Sequence, residues 1–381
     1  VSALYLDNAA TTAVRPEVLE AMAPFWTHAF GNPSSHHEVG ETAARALADA
    51  RARVAAVLGM RPGDVIFTSG GTEGNNLAVK GIAVAALLGR GARHVVTTPI
   101  EHESILESVA ALRRVHGFDA TLVPVDDGAR VDPDAVAAAL RDDTALVSLG
   151  YANNEVGTVQ DVAGVVAAAR ARRVPVHVDA VQAAGWLPLA QLGVDALTIA
   201  GHKLGAPKGT GVLAVRGRIP LEPLLHGGGQ ERGRRSGTED VAGAVGLATA
   251  LELAEHERAE SAARVRGLRD AFIARVLALV PSARLTGHLT ERLPGTASFT
   301  FAGTSGEAVL LHLERRGVVS SSGSACAAGS DEPSHVLLAM GIDPGLAQTA
   351  VRFTLPHGLA QPLDAVADAV AASVAAVHSG A

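Results

Sequence analysis

From about residue 40 to residue 255 the chain alternates short, almost wholly apolar runs with longer Ala-rich amphipathic stretches, and few folds accept that rhythm. The candidate strands are Val65–Thr68, His94–Thr98, Thr121–Val125, Ala145–Leu149, Pro175–Asp179, Ala196–Ala200 and Gly211–Val215. The first six lack polar alternation, which suits strands buried on both faces. Between them, Thr72–Leu88, Glu103–His116, Pro133–Arg141 and Asp161–Arg172 carry apolar residues at helical spacing. Strand, helix and strand in succession predict an α/β fold, with a mostly parallel seven-stranded sheet covered by helices on both faces. Ligands of such sheets bind beyond the carboxyl ends of the strands, so the chemistry is expected just after each strand.

The rhythm then changes. A long Ala/Glu/Arg-rich helix is predicted from about Val241 to Val280. Beyond it come short strands (Ala297–Phe301, Val351–Leu355) and helices (Glu307–Arg316, Pro333–Met340, Leu363–His378), the pattern of a smaller α+β domain. A strand-like run beginning at Tyr5–Leu6 is expected to pack on it. The division that follows is a large domain over 14–255 and a small one formed by 1–13 with 256–381.

Composition narrows the function. A net charge of −7 without long single-sign runs argues against a nucleic-acid or membrane-surface partner. No apolar run reaches the roughly 18 residues that span a bilayer, and Val1–Asp7 shows no signal peptide. With a single cysteine, an intramolecular disulfide and a multi-Cys zinc site are both excluded, and no metal is expected. A reducing cytoplasm fits.

Four features follow predicted strands. Lys203, in Ala200-Gly201-His202-Lys203, can project from a strand end into a cleft where desolvation makes it a usable amine, although most lysines are simply solvated. Asp179 ends an apolar run, where an unpaired carboxylate is costly. A protonated pyridine nitrogen would repay it, and Gln182 could donate to a ring oxygen; the plain alternative is an N-cap for a following helix. Thr68-Ser69-Gly70-Gly71-Thr72-Glu73-Gly74-Asn75-Asn76 runs from a strand into a helix and suits a phosphate, though an ordinary strand–helix turn reads the same way. His102, in Glu101-His102-Glu103, could stack on a flat ring or be merely structural. Asn153-Asn154-Glu155 offers amides at the same edge. Cradle, stacker, acid and amine, in that chain order, suit one cofactor, pyridoxal 5'-phosphate (PLP). A nicotinamide dehydrogenase is a weaker third option, since no Gly-x-Gly-x-x-Gly opens a helix after the first strand.

The chain also closely resembles the cysteine desulfurases, the NifS/IscS-like members of the class V aminotransferases. The matching stretches are Tyr5–Thr12, Gly31–Ser35, Thr68–Asn76, Glu101-His102, Asn153–Gly157, His177–Gln182, Gly201–Lys203, His226–Thr238, Ser321–Ala327 and Val351–Phe353. The resemblance implies a PLP-dependent transferase of fold type I working as a homodimer. It implies that Lys203 bonds the cofactor and later shuttles the substrate Cα proton. Asp179 would pair with the pyridine nitrogen, Gln182 with the ring oxygen, and His102 would stack on the ring. Gly71, Thr72 and His202 would bind phosphate, joined by Thr238 of the neighbouring subunit. Asn154 would contact cofactor and substrate, and Arg352 with Asn32 would hold the substrate carboxylate. Two positions depart from the pattern. Ala200 stands where many relatives have a phosphate-binding Ser, and Thr354-Leu355-Pro356-His357 replaces a Ser-Leu-Gly run after Arg352.

Cys326 sits among small polar residues, Ser320 to Ser330, and not in an apolar periodic segment where a filler cysteine belongs. The resemblance places the persulfide-forming cysteine here. It implies removal of sulfur from L-cysteine to give L-alanine and a Cys326 persulfide, which passes to an iron–sulfur scaffold or another sulfur acceptor. The alternatives are a selenocysteine lyase or another class V aminotransferase and, in a different class, an inactive sulfur-acceptor scaffold.

Overall fold

The computed structural model describes residues 3–323 and 332–379. Its strands are β1 (Leu4–Tyr5), β2 (Val65–Thr68), β3 (His94–Thr97), β4 (Asp119–Leu122), β5 (Thr144–Gly150), β6 (Val176–Asp179), β7 (Ala196–Ala200), β8 (Gly211–Val215), β9 (Ala283–Leu285), β10 (Thr296–Phe301), β11 (Val318–Val319) and β12 (Val351–Thr354). Seven of them form the large sheet in the order β2-β8-β7-β6-β5-β3-β4. Only β8 runs against its neighbours. The other six strands therefore end on one edge of the sheet, where the sequence places its candidate chemistry.

The predicted buried strand Thr121–Val125 is corrected. The strand runs over Asp119–Leu122, pairs only with β3, and has no fully buried residue. The apolar signal came from Val123, which enters the core just after the strand ends. The predicted helix Thr72–Leu88 is a continuous run over Gly71–Arg90, interrupted by one wider π turn at Leu77–Gly81.

The helix Val241–Leu279 is capped by Asp240, whose carboxylate accepts from Gly243 N at 2.8 Å. Its first third packs into the core of the large sheet, down to Ala254. Its last third, from Val265 to Val276, packs into a second core. That second core gathers the antiparallel sheet β12-β10-β9 and the helix Asp364–His378 around Phe272, Phe299, Phe301 and Phe353. The rings of Phe272 and Phe353 meet edge to face at 5.2 Å. Leu6 belongs to this core, β1 pairs in parallel with β11, and Asp7 bridges to Thr354. The first residues of the chain are thus held by its last third, as their apolar run predicts. No helix among the described residues is long and apolar enough to cross a membrane.

Candidate active site

The turn after β2 must come very close to the start of β8. A Cβ at Gly211 would lie 2.6 Å from the backbone of Gly70, and Gly70 itself has φ 151°, a conformation that favours glycine. The next helix then begins at Gly71. A Cβ there would meet Val181 Cγ2 at 2.8 Å and narrow the cavity floor. Local steric demand therefore explains the Gly70-Gly71 pair. The same turn places Gly71 and Thr72, whose backbone N–H groups open the helix, on the cavity wall.

That cavity, of about 300 Å³, lies beyond the carboxyl ends of β2, β3, β5, β6 and β7. It is lined by Gly71, Thr72, His102, Asn154, Asp179, Gln182, Ala200, His202, Lys203 and Arg352, ten of the residues singled out from the sequence. Asp179 ends β6 at 9% exposure. One of its oxygens accepts from Val181 N at 2.9 Å and the other from Asn75 Nδ2 at 2.7 Å. Turns follow it in place of the expected helix, so the carboxylate caps only the turn at Val181. Asn75 also donates to Ser104 Oγ at 2.9 Å, while its own buried carbonyl oxygen has no partner among the described residues. His102 caps the helix Glu103–His116 through Nδ1, which accepts from Ser104 N at 3.1 Å. When the ring is neutral, its proton therefore sits on Nε2.

Lys203 lies in a tight turn after β7. Its ammonium donates to the carbonyl oxygens of Ala9 and, at 2.7 Å, Ala10. Gln182 Nε2 donates to Ala9 O at 3.1 Å. The N-terminal segment is tied to the same turn through Thr12, whose N and Oγ1 both donate to His202 O at 2.9 Å. Burial, with Lys203 and Lys208 nearby, lowers the His202 pKa to about 4, so its imidazole is neutral at physiological pH.

Arg352 is 1% exposed. It donates to Asn154 O at 2.8 Å, Gly323 O at 3.0 Å and Asp7 Oδ1 at 2.7 Å, and its Nε has no partner among the described residues. Arg352, Asn75 and Asp179 all line the cavity, and Arg352 and Asn75 each keep a buried polar atom unpaired among the described residues. Together with the Gly70-Gly71 turn, this polar set fits a cofactor that carries a phosphate and a basic ring nitrogen.

Two expected residues lie elsewhere. Asn32 is exposed, and its side chain is turned to Ser34 N at 2.9 Å, which closes the loop ahead of the helix Glu38–Leu58. Thr238 lines a separate pocket outside the cradle, with Ser69 and Arg235. Within one chain neither reaches the cavity. Cys326 lies outside the described residues.

Sequence reasoning assigned no role to three residues of the site. Asn75 sits within the cradle motif, and its spacing one turn into the helix was the available signal. Asp7, the counter-ion of Arg352, lies 345 residues away and gave no local signal. Glu101 is buried at 4% exposure and accepts from Thr98 Oγ1 at 2.6 Å. Desolvation, with Asp179 adding to it, raises its pKa to about 8. Glu101 is therefore a neutral acid at physiological pH, the state expected of a carboxyl buried beside a second one without a cation.

The chain matches the family described as aminotransferase class-V over residues 4–357. It is 45% identical to the cysteine desulfurase IscS of Dictyoglomus turgidum over 354 residues, 92% of this chain and 89% of that one. It is 46% identical to an IscS-like cysteine desulfurase of Mycobacterium tuberculosis, covering 93% of this chain and 91% of the relative. Among solved structures, a NifS-like protein superposes with a TM-score of 0.88 at 36% identity, covering 99% of this chain and 98% of the other. DndA from Streptomyces lividans superposes with a TM-score of 0.78 at 37% identity, covering 92% and 99%. Fold, cavity and relatives agree, and the chain belongs to the cysteine desulfurases of the class V aminotransferase family.

Proposed function

We propose that the protein removes sulfur from L-cysteine with bound PLP, giving L-alanine and a persulfide on Cys326. The observation that carries this reading is convergence. Residues from the ends of five strands, together with Arg352 on β12, meet in one cavity although each has a plain alternative in isolation.

In this reading the large domain, 14–255, holds the cofactor. The small domain, 1–13 with 256–381, brings Arg352 and the Cys326 segment. Gly71, Thr72 and His202 would take the phosphate, with Thr238 supplied by a second copy. With Ala in place of Ser at position 200, the phosphate loses one hydroxyl donor, worth about 1 kcal/mol. Asp179, held by Asn75 and Val181 N, would face the ring nitrogen; His102 would cover the ring and Gln182 would reach its oxygen. When bound, PLP supplies an electron sink for charge developing at the substrate Cα.

The chain's own groups do the rest. Arg352 would orient the substrate carboxylate, with Asn154 beside it. The Lys203 amine would accept the Cα proton and return it later. The Cys326 thiolate would attack the substrate sulfur, so that an S–S bond forms, the Cβ–S bond breaks and the electron pair stays with carbon. Cysteine and the Cys326 thiol become alanine and a Cys326 persulfide, which balances without another reactant. Sulfur would then pass to an acceptor, such as an iron–sulfur scaffold protein.

The test uses purified protein loaded with PLP. A visible absorption band lost in Lys203→Ala is expected, with one alanine formed per sulfur transferred and no transfer by Cys326→Ser. Protein that stays colourless with PLP, or unchanged sulfur transfer by Cys326→Ser, would refute the assignment.

A further inference from the structure

The segment between β8 and the helix Val241–Leu279 crosses the outer side of the phosphate cradle, and Arg235 ties the two together. Its Nε donates to Glu73 Oε1 at 2.8 Å and its Nη2 to Glu73 Oε2 at 3.3 Å. Both side chains are mostly buried, at 22% and 18% exposure. Glu73 lies in the first turn of the helical run Gly71–Arg90, and its Oε2 also accepts from Ser69 N at 2.7 Å. One carboxylate therefore spans the whole cradle turn and binds the crossing segment from outside. Burial pushes the Glu73 carboxyl up, but the Arg235 and Ser69 bonds more than reverse this, and it ends below its ordinary value.

The segment holding Arg235 is itself firmly set. Glu231 (φ 48°) and Arg232 (φ 59°) both occupy the left-handed region that non-glycine residues avoid. The Glu231 carboxylate is held by Arg51 at 2.6 and 2.9 Å. Arg51 and Arg232 both donate to Val65 O, where β2 begins. Arg235 is thus presented from a backbone anchored on the strand that leads into the cradle.

A carboxylate in the first turn stabilises a helix but opposes an anion seated at the same end. We propose that Arg235 is a positioning residue for the cofactor phosphate. It neutralises Glu73 and draws it, with Ser69 N–H, to the outer side of the turn. The cavity side, at Gly71 and Thr72, is left to a phosphate dianion. This inference rests on the PLP reading above.

Cofactor-free protein would be titrated by absorbance with PLP and, separately, with pyridoxal, which lacks the phosphate. Arg235→Met is expected to weaken PLP about tenfold and to leave pyridoxal unchanged, because an unpaired charge then remains at the phosphate end. Adding Glu73→Gln to Arg235→Met should recover most of that loss, which a collapsed segment would not allow. Glu73→Gln alone should bind PLP at least as tightly as wild type, and this arm stands if Arg235→Met does not fold. The proposal is overturned if Arg235→Met binds PLP like wild type or loses both ligands equally. It is also overturned if the double variant stays as weak as the single one, or if Glu73→Gln weakens PLP. Wild-type protein that binds no PLP would refute the functional reading itself, a result distinct from each of these.

Discussion

Replacing Glu101 with glutamine isolates the cost of a buried acid beside Asp179. The Glu101 carboxyl accepts from Thr98 Oγ1 and the Gly150 N–H and faces the Asp179 carboxylate, and burial lifts its pKa from 4.5 to about 8. In the unfolded chain the group ionises above its ordinary pKa of 4.5, whereas in the folded protein it stays protonated up to about 8. Between those values the unfolded state binds fewer protons. Stability is therefore complete below the lower value and falls as pH rises through the window. At about 1.4 kcal/mol per pKa unit, the penalty is about 2 kcal/mol at pH 6 and about 4 kcal/mol at pH 8. Glutamine keeps the shape and can exchange hydrogen bonds with Thr98 and Gly150 without ionising. For a chain this long, the difference of about 2 kcal/mol corresponds to about 2–3 °C in melting temperature. Melting curves of cofactor-loaded wild type and Glu101→Gln would be compared at pH 6, 7 and 8. Wild type should lose about 2–3 °C more than the variant between pH 6 and pH 8. Parallel profiles would mean that Glu101 ionises without penalty, and the reasoning would be wrong.

Asn75→Ala removes the side-chain donor that holds Asp179 Oδ2 at 2.7 Å, so PLP affinity in an absorbance titration should fall about tenfold; unchanged affinity would discount that contact. Asp7→Ala leaves the buried Arg352 guanidinium with backbone carbonyls alone. Because Asp7 is 18% exposed, the loss should sit near the low end for buried pairs, about 3 kcal/mol by denaturant unfolding. L-Alanine, whose carboxylate can replace the lost partner, should raise the melting temperature of Asp7→Ala more than that of wild type; an equal rise would argue against Arg352 as the carboxylate site. His357 stacks on Trp186 at 3.7 Å, and neither of its ring nitrogens has a partner among the described residues. His357→Phe keeps the stack and removes two unsatisfied groups, so unfolding should report a gain of about 1–2 kcal/mol; a loss would mean that solvent satisfies the imidazole.

The large sheet was legible because strands buried on both faces must be apolar throughout, and most predicted strand boundaries fall within a residue or two of those observed. The edge strand after Phe118 was misread because its apolar residues serve the core beyond the strand's end. Lys203, Asp179, His102 and Gly71-Thr72 were legible because a parallel sheet sends each strand end to the same edge, so local motifs become a shared site.

The sequence alone established the α/β class, the chain order of the chemical groups and the family they resemble, since all three follow from short-range patterns. Tertiary structure alone decided that Asp7 is the partner of Arg352, that Ala9 and Ala10 receive the Lys203 ammonium, and that Glu101 is a neutral acid beside Asp179. It also placed Asn32 and Thr238 outside their own chain's cavity. These facts depend on burial and on pairs far apart in the chain. Periodicity reports which face of an element is apolar, but it carries no information about which distant residue will share a desolvated charge.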